Sequence, residues 1–378
     1  MVQRDSLTAS TRSNAVGSNA DGLRAAFASA NGQLSRKRFV AVVLLFLVAY
    51  PFWASQFWIN LANLVALASL GAIALNLLVG VAGQFSMGSA ALLGVGGFTA
   101  AIFAVEEATL PFPLVLALGA LLGGLIAVAV GIVALRVRGI YLVLATIALH
   151  YIVLTLVKQY QDATAGPAGF RIPLPTIAGA EIVSLEAWYW LLMGIAVVTA
   201  LGAANLFTSR TGRAWTAVKN RDIAASILGV NVTRITILAF VVSSAVIAVQ
   251  GVLLAYYVGI VSSEAYTLDV TIQYVAMIII GGLGSVTGSV LGAIFVTVMP
   301  FLVRDFLPLL PTWVPGREAL IEHSFAVQSI IFGLSIVLFM RVAPKGLVAL
   351  LRRLASRVTF VLSAARHRAL EHRGRGAS

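Results

Sequence analysis

The chain has 378 residues, 60% hydrophobic and 11% charged, with no cysteine and a formal net charge of +12. Soluble domains carry about 25% charged residues; with a mean hydropathy of +0.98, this composition is that of an integral membrane protein. Without cysteine there are no disulfides, thiolate metal sites or Cys nucleophiles, and four histidines do not make a His-rich metal cluster.

Residues 1–35 are rich in Ser, Ala, Asn, Gly and Thr with scattered Arg and no apolar run. They cannot bury a core, so a disordered cytoplasmic tail is expected. A secretory signal is excluded by the missing apolar stretch, and Asp5 and Asp21 argue against a transit peptide.

The membrane domain is expected over 36–343. Ten apolar runs, at about 38–57, 61–80, 87–105, 113–135, 139–157, 187–207, 234–258, 269–283, 287–303 and 324–341, approach or exceed the roughly 20 residues a helix needs to cross the hydrocarbon. They lack the alternation of outer-membrane strands. The expected fold class is therefore all-α, a polytopic membrane bundle of about ten transmembrane helices with both termini cytoplasmic. That parity places 22 of the 26 Lys and Arg on the inside and ten of the 14 acids outside. Since Lys and Arg resist translocation, the asymmetry supports the topology and assigns the positive charge to membrane orientation, not to nucleic acid.

Two glycine-rich stretches, 80–103 and 281–295, fall where helices start or stop. Small residues there serve close helix packing or break a helix to line a pathway. Neither stretch contains the G-x-x-x-x-G-K-[ST] of a phosphate loop, so no cofactor or nucleotide is expected in this chain. No Asp, Glu, Lys or Arg lies deep in a span, which weakens proton pumps, voltage sensors and ion-coupled carriers. Hydrolytic motifs are absent too, and an enzyme is not expected.

Polar uncharged residues within or beside the spans include Asn76, Gln84, Ser86, Thr146 and Gln273, with His150 the one titratable side chain among them. Each can hydrogen-bond a neighbouring helix or meet a passing solute. These six are the candidate substrate pathway. His150 beside Tyr151 reads first as a packed, hydrogen-bonded residue and second as a proton relay.

The outer connection 158–186 carries Pro167, Pro173 and Pro175, which bar a regular helix, and 304–323 is equally broken by proline. They are simple connections or a docking platform. Beyond the last span, 344–378 places Leu351, Leu354, Val358, Val361 and Ala365 at helical spacing beside several arginines. This amphipathic tail suits anionic membrane lipid or a docking partner.

The most polar internal segment is 208–234, TSRTGRAWTAVKNRDIAASILGVNVTR. Trp215, Val218, Ala225 and Leu228 line one side at roughly helical spacing, Arg213, Lys219, Arg221 and Asp222 are polar, and Gly229 is placed to stop a helix. An amphipathic helix pair is expected, resting on lipid headgroups or receiving force from a cytoplasmic partner.

The run IAASILG, 223–229, is similar to the cytoplasmic coupling loop of ABC importer permeases. Ala224, Ala225 and Gly229 match its signature; Ile223 stands at its glutamate, and Asp222 supplies an acid one place earlier. GRAWTAVKNRDIAASILGVNVTR, GQFSMGSAALLGVGGFTAA, RGIYLVLATIAL, the long block from Gly259 to Ala293 and APKGL together resemble permeases of the branched-chain amino acid ABC importer family. The blocks run in family order from about 60 to 348.

The resemblance implies a non-catalytic permease subunit in a bacterial inner membrane. Its implied partners are a second related permease, two cytoplasmic ATPase subunits that bind the ATP, and an external solute-binding protein. It casts Arg213, Trp215, Asp222, Ala224, Ala225 and Gly229 as ATPase-coupling residues. Ser89, Ser289 and Leu149-His150-Tyr151 depart from the family pattern and bear on cargo: branched-chain amino acids, or the urea, short amides and aromatic acids carried elsewhere in the family. A secondary transporter and a small-solute channel are the readings outside the family.

Overall fold

In the computed structural model, residues 45–105, 110–137, 139–177, 180–306, 322–342 and 346–350 are described. The expected N-terminal tail, nearly all of the C-terminal amphipathic helix, and most of the 304–323 loop lie outside them. The chain divides into two compact units, Met1–Ile59 and Asn60–Ser378. In the first, helical residues 45–49 run into a 3-10 turn, Tyr50–Phe52, with Pro51 in its opening positions.

The described residues are overwhelmingly helical, as a chain in lipid requires, because each backbone polar group there needs a partner within its own segment. In chain order the helices are α1 (Gln56–Asn76), α2 (Ser89–Val105), α3 (Phe112–Arg136), α4 (Ile140–Thr164), α5 (Leu185–Thr208), α6 (Arg210–Asn220), α7 (Asp222–Ile227), α8 (Val232–Val258), α9 (Leu268–Gly281), α10 (Val286–Phe306) and α11 (Ser324–Val342). Six are long and apolar enough to cross a membrane. Helix α1 does so together with a π-helical extension, Leu77–Val81. The fold is an all-α polytopic membrane bundle. Nine of the ten expected spans coincide with helices among the described residues; of the first, only the final part is described.

Helix α4 runs to Thr164, beyond the expected end at 157. Its last turns are built from Lys158, Gln159 and Gln161, good helix formers that hydropathy does not register. Three two-residue strands lie between α4 and α5: β2 (Thr176–Ile177) pairs antiparallel with β3 (Ala180–Glu181), and β1 (Phe170–Arg171) pairs antiparallel with β4 (Ile260–Val261), which follows α8.

Burial separates an inner helix from an outer shell. Protein covers 89% of the most apolar window in the α1 span but 17% in α4 and in α5. Helix α8 lies against α2 and α3, and small residues set the spacing. A methyl placed on Gly251 would overlap the Leu93 carbonyl of α2, and one on Gly123 of α3 would meet Ala248 of α8. Membrane helices gain little from apolar burial against lipid, so close backbone approach carries the association. Gly251→Ala is therefore expected to destabilise the bundle by about 3 kcal/mol, at the upper end of overpacking costs. A thermal melt in detergent indistinguishable from wild type would show that these helices are not held at that spacing.

The connections gather at two ends of the second unit. At one end the 82–88 turn, the 208–231 segment and the 282–285 turn approach one another. At the other, Gln161 Oε1 accepts the Ser263 amide at 2.7 Å, and β1 pairs with β4. Tyr160 stacks on Phe170 there, beside Phe98 and Tyr266, and burial pushes the Tyr266 phenol above the ordinary tyrosine range.

Candidate functional site

The 208–234 segment folds as two short helices, α6 and α7, joined at an extended Arg221 (φ −155°, ψ 99°). Ser209 caps α6 by accepting the Gly212 amide at 3.2 Å, and Asn231 caps α8 by accepting the Arg234 amide at 3.0 Å. Polar caps of this kind are worth roughly 1 kcal/mol each. Helix α7 ends at Gly229, whose φ of +84° disfavours side chains, and the Val230 amide returns to the Ala225 carbonyl at 3.0 Å.

One face of the pair is sunk into the bundle. Trp215 is 1% exposed, packs with Leu77, Leu78 and Phe240, and donates its indole N–H to the Ile235 carbonyl at 2.7 Å. Val218 and Ala225 are buried beside it in sequence, but the expected fourth member, Leu228, is 82% exposed. The break at Arg221 resets the helical phase, so spacing read across it does not hold.

Leu228 instead joins Ile223 and Ile227, which are 73% and 80% exposed. Ala224 and Arg213 are also exposed, Asp222 is half-buried, and Arg213 Nη1 donates to the Thr208 carbonyl at 2.8 Å. Ile223, Ile227 and Leu228 form an exposed apolar patch beside polar neighbours. Ile223 and Ile227, four residues apart, were the available sequence signal for it. Lys219, expected only on the polar side of the pair, has a partner in the bundle: its Nζ donates to the Gly80 carbonyl at 2.6 Å.

The six pathway candidates fall in different places. Gln84 is half-buried on a cleft of about 530 Å³ whose walls include Phe85, Leu135, Ile140, Lys219 and Thr236. Thr146 accepts the Met87 amide at 2.9 Å, and Ser86 accepts the Gly88 amide at 3.3 Å, so Ser86 and Thr146 meet at the turn before α2.

His150, on the α4 face that carries Thr146, is buried with its ring edge-on to Tyr151. Neither ring nitrogen has a hydrogen-bond partner, so the packing expected of it is present and the hydrogen bond is not.

Asn76 is buried and satisfied by protein: its amide nitrogen donates to Ser289 Oγ (2.7 Å) and to the carbonyls of Ser285 (3.1 Å) and Gly282 (3.3 Å). Its oxygen accepts the Gly284 amide at 2.7 Å. Gln273 is exposed on a separate cleft of about 230 Å³ between α1, α8, α9 and α10. Beside it Gln250 donates to the Tyr274 hydroxyl, while the Gln250 side-chain oxygen has no partner. Among the described residues, no group of three or more His, Asp or Glu could hold a metal ion.

A bundle of apolar helices with a capped amphipathic pair between two spans is the form of a membrane permease subunit. The family model described as branched-chain amino acid transport system / permease component matches residues 57–340. The chain belongs to that family. It is 30% identical to the high-affinity branched-chain amino acid transport system permease protein LivM of Salmonella typhimurium over 72% of this chain and 70% of that one. It is 31% identical to LivH of the same organism, over 34% of this chain and 41% of that one. The ribose import permease protein RbsC of Haemophilus influenzae is 23% identical over 70% of this chain and 83% of its own length. No solved structure matches the chain.

Proposed function

We propose that this chain is one permease of an ABC importer in a bacterial inner membrane, passing branched-chain or related amino acids to the cytoplasm. It spans about ten times with both termini inside. Two cytoplasmic ATPases supply the energy, an external binding protein delivers the solute, and a second, related permease completes the pathway. The reading extends to this chain what the names of LivM and LivH say of those proteins.

The single observation that carries it is the α6–α7 pair, anchored by Trp215 and presenting Ile223, Ile227 and Leu228 outward. Burying three such side chains against a partner gives roughly 1.5–3 kcal/mol each. Arg213, Asp222, Ala224, Ala225 and Gly229 shape the same surface. Gln84 and Gln273, on their clefts, are the pathway residues best placed to meet solute. Ser86, Thr146 and His150 are buried candidates of the same pathway, and Asn76 ties α1 to the α9–α10 turn.

Ile227→Asp and Arg213→Ala are expected to reduce ATPase co-purification from detergent at least about tenfold, equivalent to ~1.4 kcal/mol. The melting temperature of the permease itself should hold. Unchanged co-purification and uptake in both variants would sink the coupling assignment and leave the headgroup-resting alternative.

A further inference from the structure

Lys219 reaches out of the amphipathic pair into the bundle. Its Nζ donates to the Gly80 carbonyl at 2.6 Å, and its stem packs where any side chain on Gly83 would stand. The last carbonyls of a helix have no intrahelical acceptor role, and a cation at that end is favoured by the helix dipole. Lys219 thus closes the C-terminal end of the α1 span from a different element.

The carbonyl it holds belongs to the π-helical extension Leu77–Val81, where the Ala82 amide bonds five residues back to Leu77. Inserted π turns are weaker than α-helical ones and frequent at working sites. The extension is gripped on its far side as well. A side chain on Gly80 would overlap both the Asn76 amide oxygen and the Gly284 nitrogen, so Gly80 is pressed between α1 and the α9–α10 turn. Asn76 binds that turn at Gly282, Gly284 and Ser285, and the following helix at Ser289. A continuous set of close contacts therefore runs from α6 to the start of α10: a hydrogen bond from Lys219 to Gly80, steric closeness of Gly80 to the Asn76 side chain, and hydrogen bonds from Asn76 onward.

The geometry points to Lys219 as a positioning residue that ties movement of the α6–α7 pair to the inner ends of α1, α9 and α10. It stands in the wall of the Gln84 cleft, acts through the Gly80 carbonyl, and does not belong to the exposed patch proposed to meet the ATPase. The inference rests on the coupling role proposed above and adds the internal route by which that force enters the bundle.

The test uses the assembled transporter in liposomes, with Lys219→Met and Lys219→Arg compared for uptake per ATP hydrolysed. Lys219→Met should keep its ATPases through purification yet hydrolyse at least roughly tenfold more ATP per solute, in the range of typical coupling energies. Lys219→Arg should recover most of the wild-type ratio, because the guanidinium still donates to the carbonyl. A Lys219→Met ratio close to wild type, an arginine variant no better than methionine, or loss of the ATPases from Lys219→Met would each overturn the relay. If the unmodified chain retains no ATPase, the failure belongs to the coupling reading instead.

Because the chain has no cysteine, spin labels at Thr216→Cys and Thr287→Cys give a second measurement that does not depend on how Lys219→Met folds. Their distance distribution should superimpose between nucleotide-free and ATP-bound complexes, and a shift between the two states would show that α6 and the start of α10 move independently.

Discussion

Trp215→Ala is expected to unseat the α6–α7 pair and abolish uptake while leaving the spanning helices inserted. The indole is buried among Leu77, Leu78 and Phe240, side chains of two different spans. Removing a buried Trp costs about 3–5 kcal/mol through lost transfer and residual cavity. The hydrogen bond is the smaller part. Ile235 lies in the first turns of α8, so its carbonyl keeps an intrahelical acceptor role when the indole is removed. Trp215→Phe should therefore cost only about 1 kcal/mol and retain most transport. Denaturation monitored by a fluorophore on α6 reads both values. An alanine variant no worse than the phenylalanine one would mean that the pair is held by something other than this side chain.

Asn76→Leu should be the most damaging single change within the bundle. Leucine keeps the heavy-atom count and branching and removes the whole set at once: two N–H groups shared among three acceptors, and one accepted bond. Side-chain hydrogen bonds between membrane helices average about 0.6 kcal/mol, which alone gives about 2. The Gly284 amide is additionally left without its acceptor, and an orphaned buried donor costs about 1–3 kcal/mol. A total of about 4 kcal/mol follows from these two contributions. Ser289→Ala removes a single one of these bonds and should cost less than about 1 kcal/mol. Thermal unfolding of the two variants side by side checks the ordering, and equal losses would show that the bonds of Asn76 are not additive in the way described.

The helices were legible because apolar length and end charge are properties of the sequence itself. Residues 139–157, for example, contain no Asp, Glu, Lys or Arg between Arg138 and Lys158. The amphipathic pair was legible too, down to the glycine that ends it. Its phase was not, because the extended Arg221 has no compositional signature, and Leu228 was thereby assigned to the wrong face. The π turn left no trace either: a single widened turn does not disturb a run such as LLVGV that is apolar on every side. The roles of Asn76 and Lys219 depend on partners 139 to 213 residues away, and no local pattern encodes a partner at that distance. Two-residue strands such as Phe170–Arg171 are shorter than any alternation that could announce them.

The separation between Asn76 and its partners also has a consequence for biosynthesis. The residues that satisfy its amide lie 206 to 213 positions later in the chain. At about 5–20 residues per second of elongation, the α1 span waits on the order of 10–40 seconds before the α9–α10 turn has even been made. Throughout that interval the membrane holds a helix whose amide must borrow partners from lipid headgroups, water or passing segments. Stable packing of α1 then depends on synthesis of the α9–α10 turn and the start of α10, and a chain truncated before Gly282 should be a substrate for membrane proteolysis.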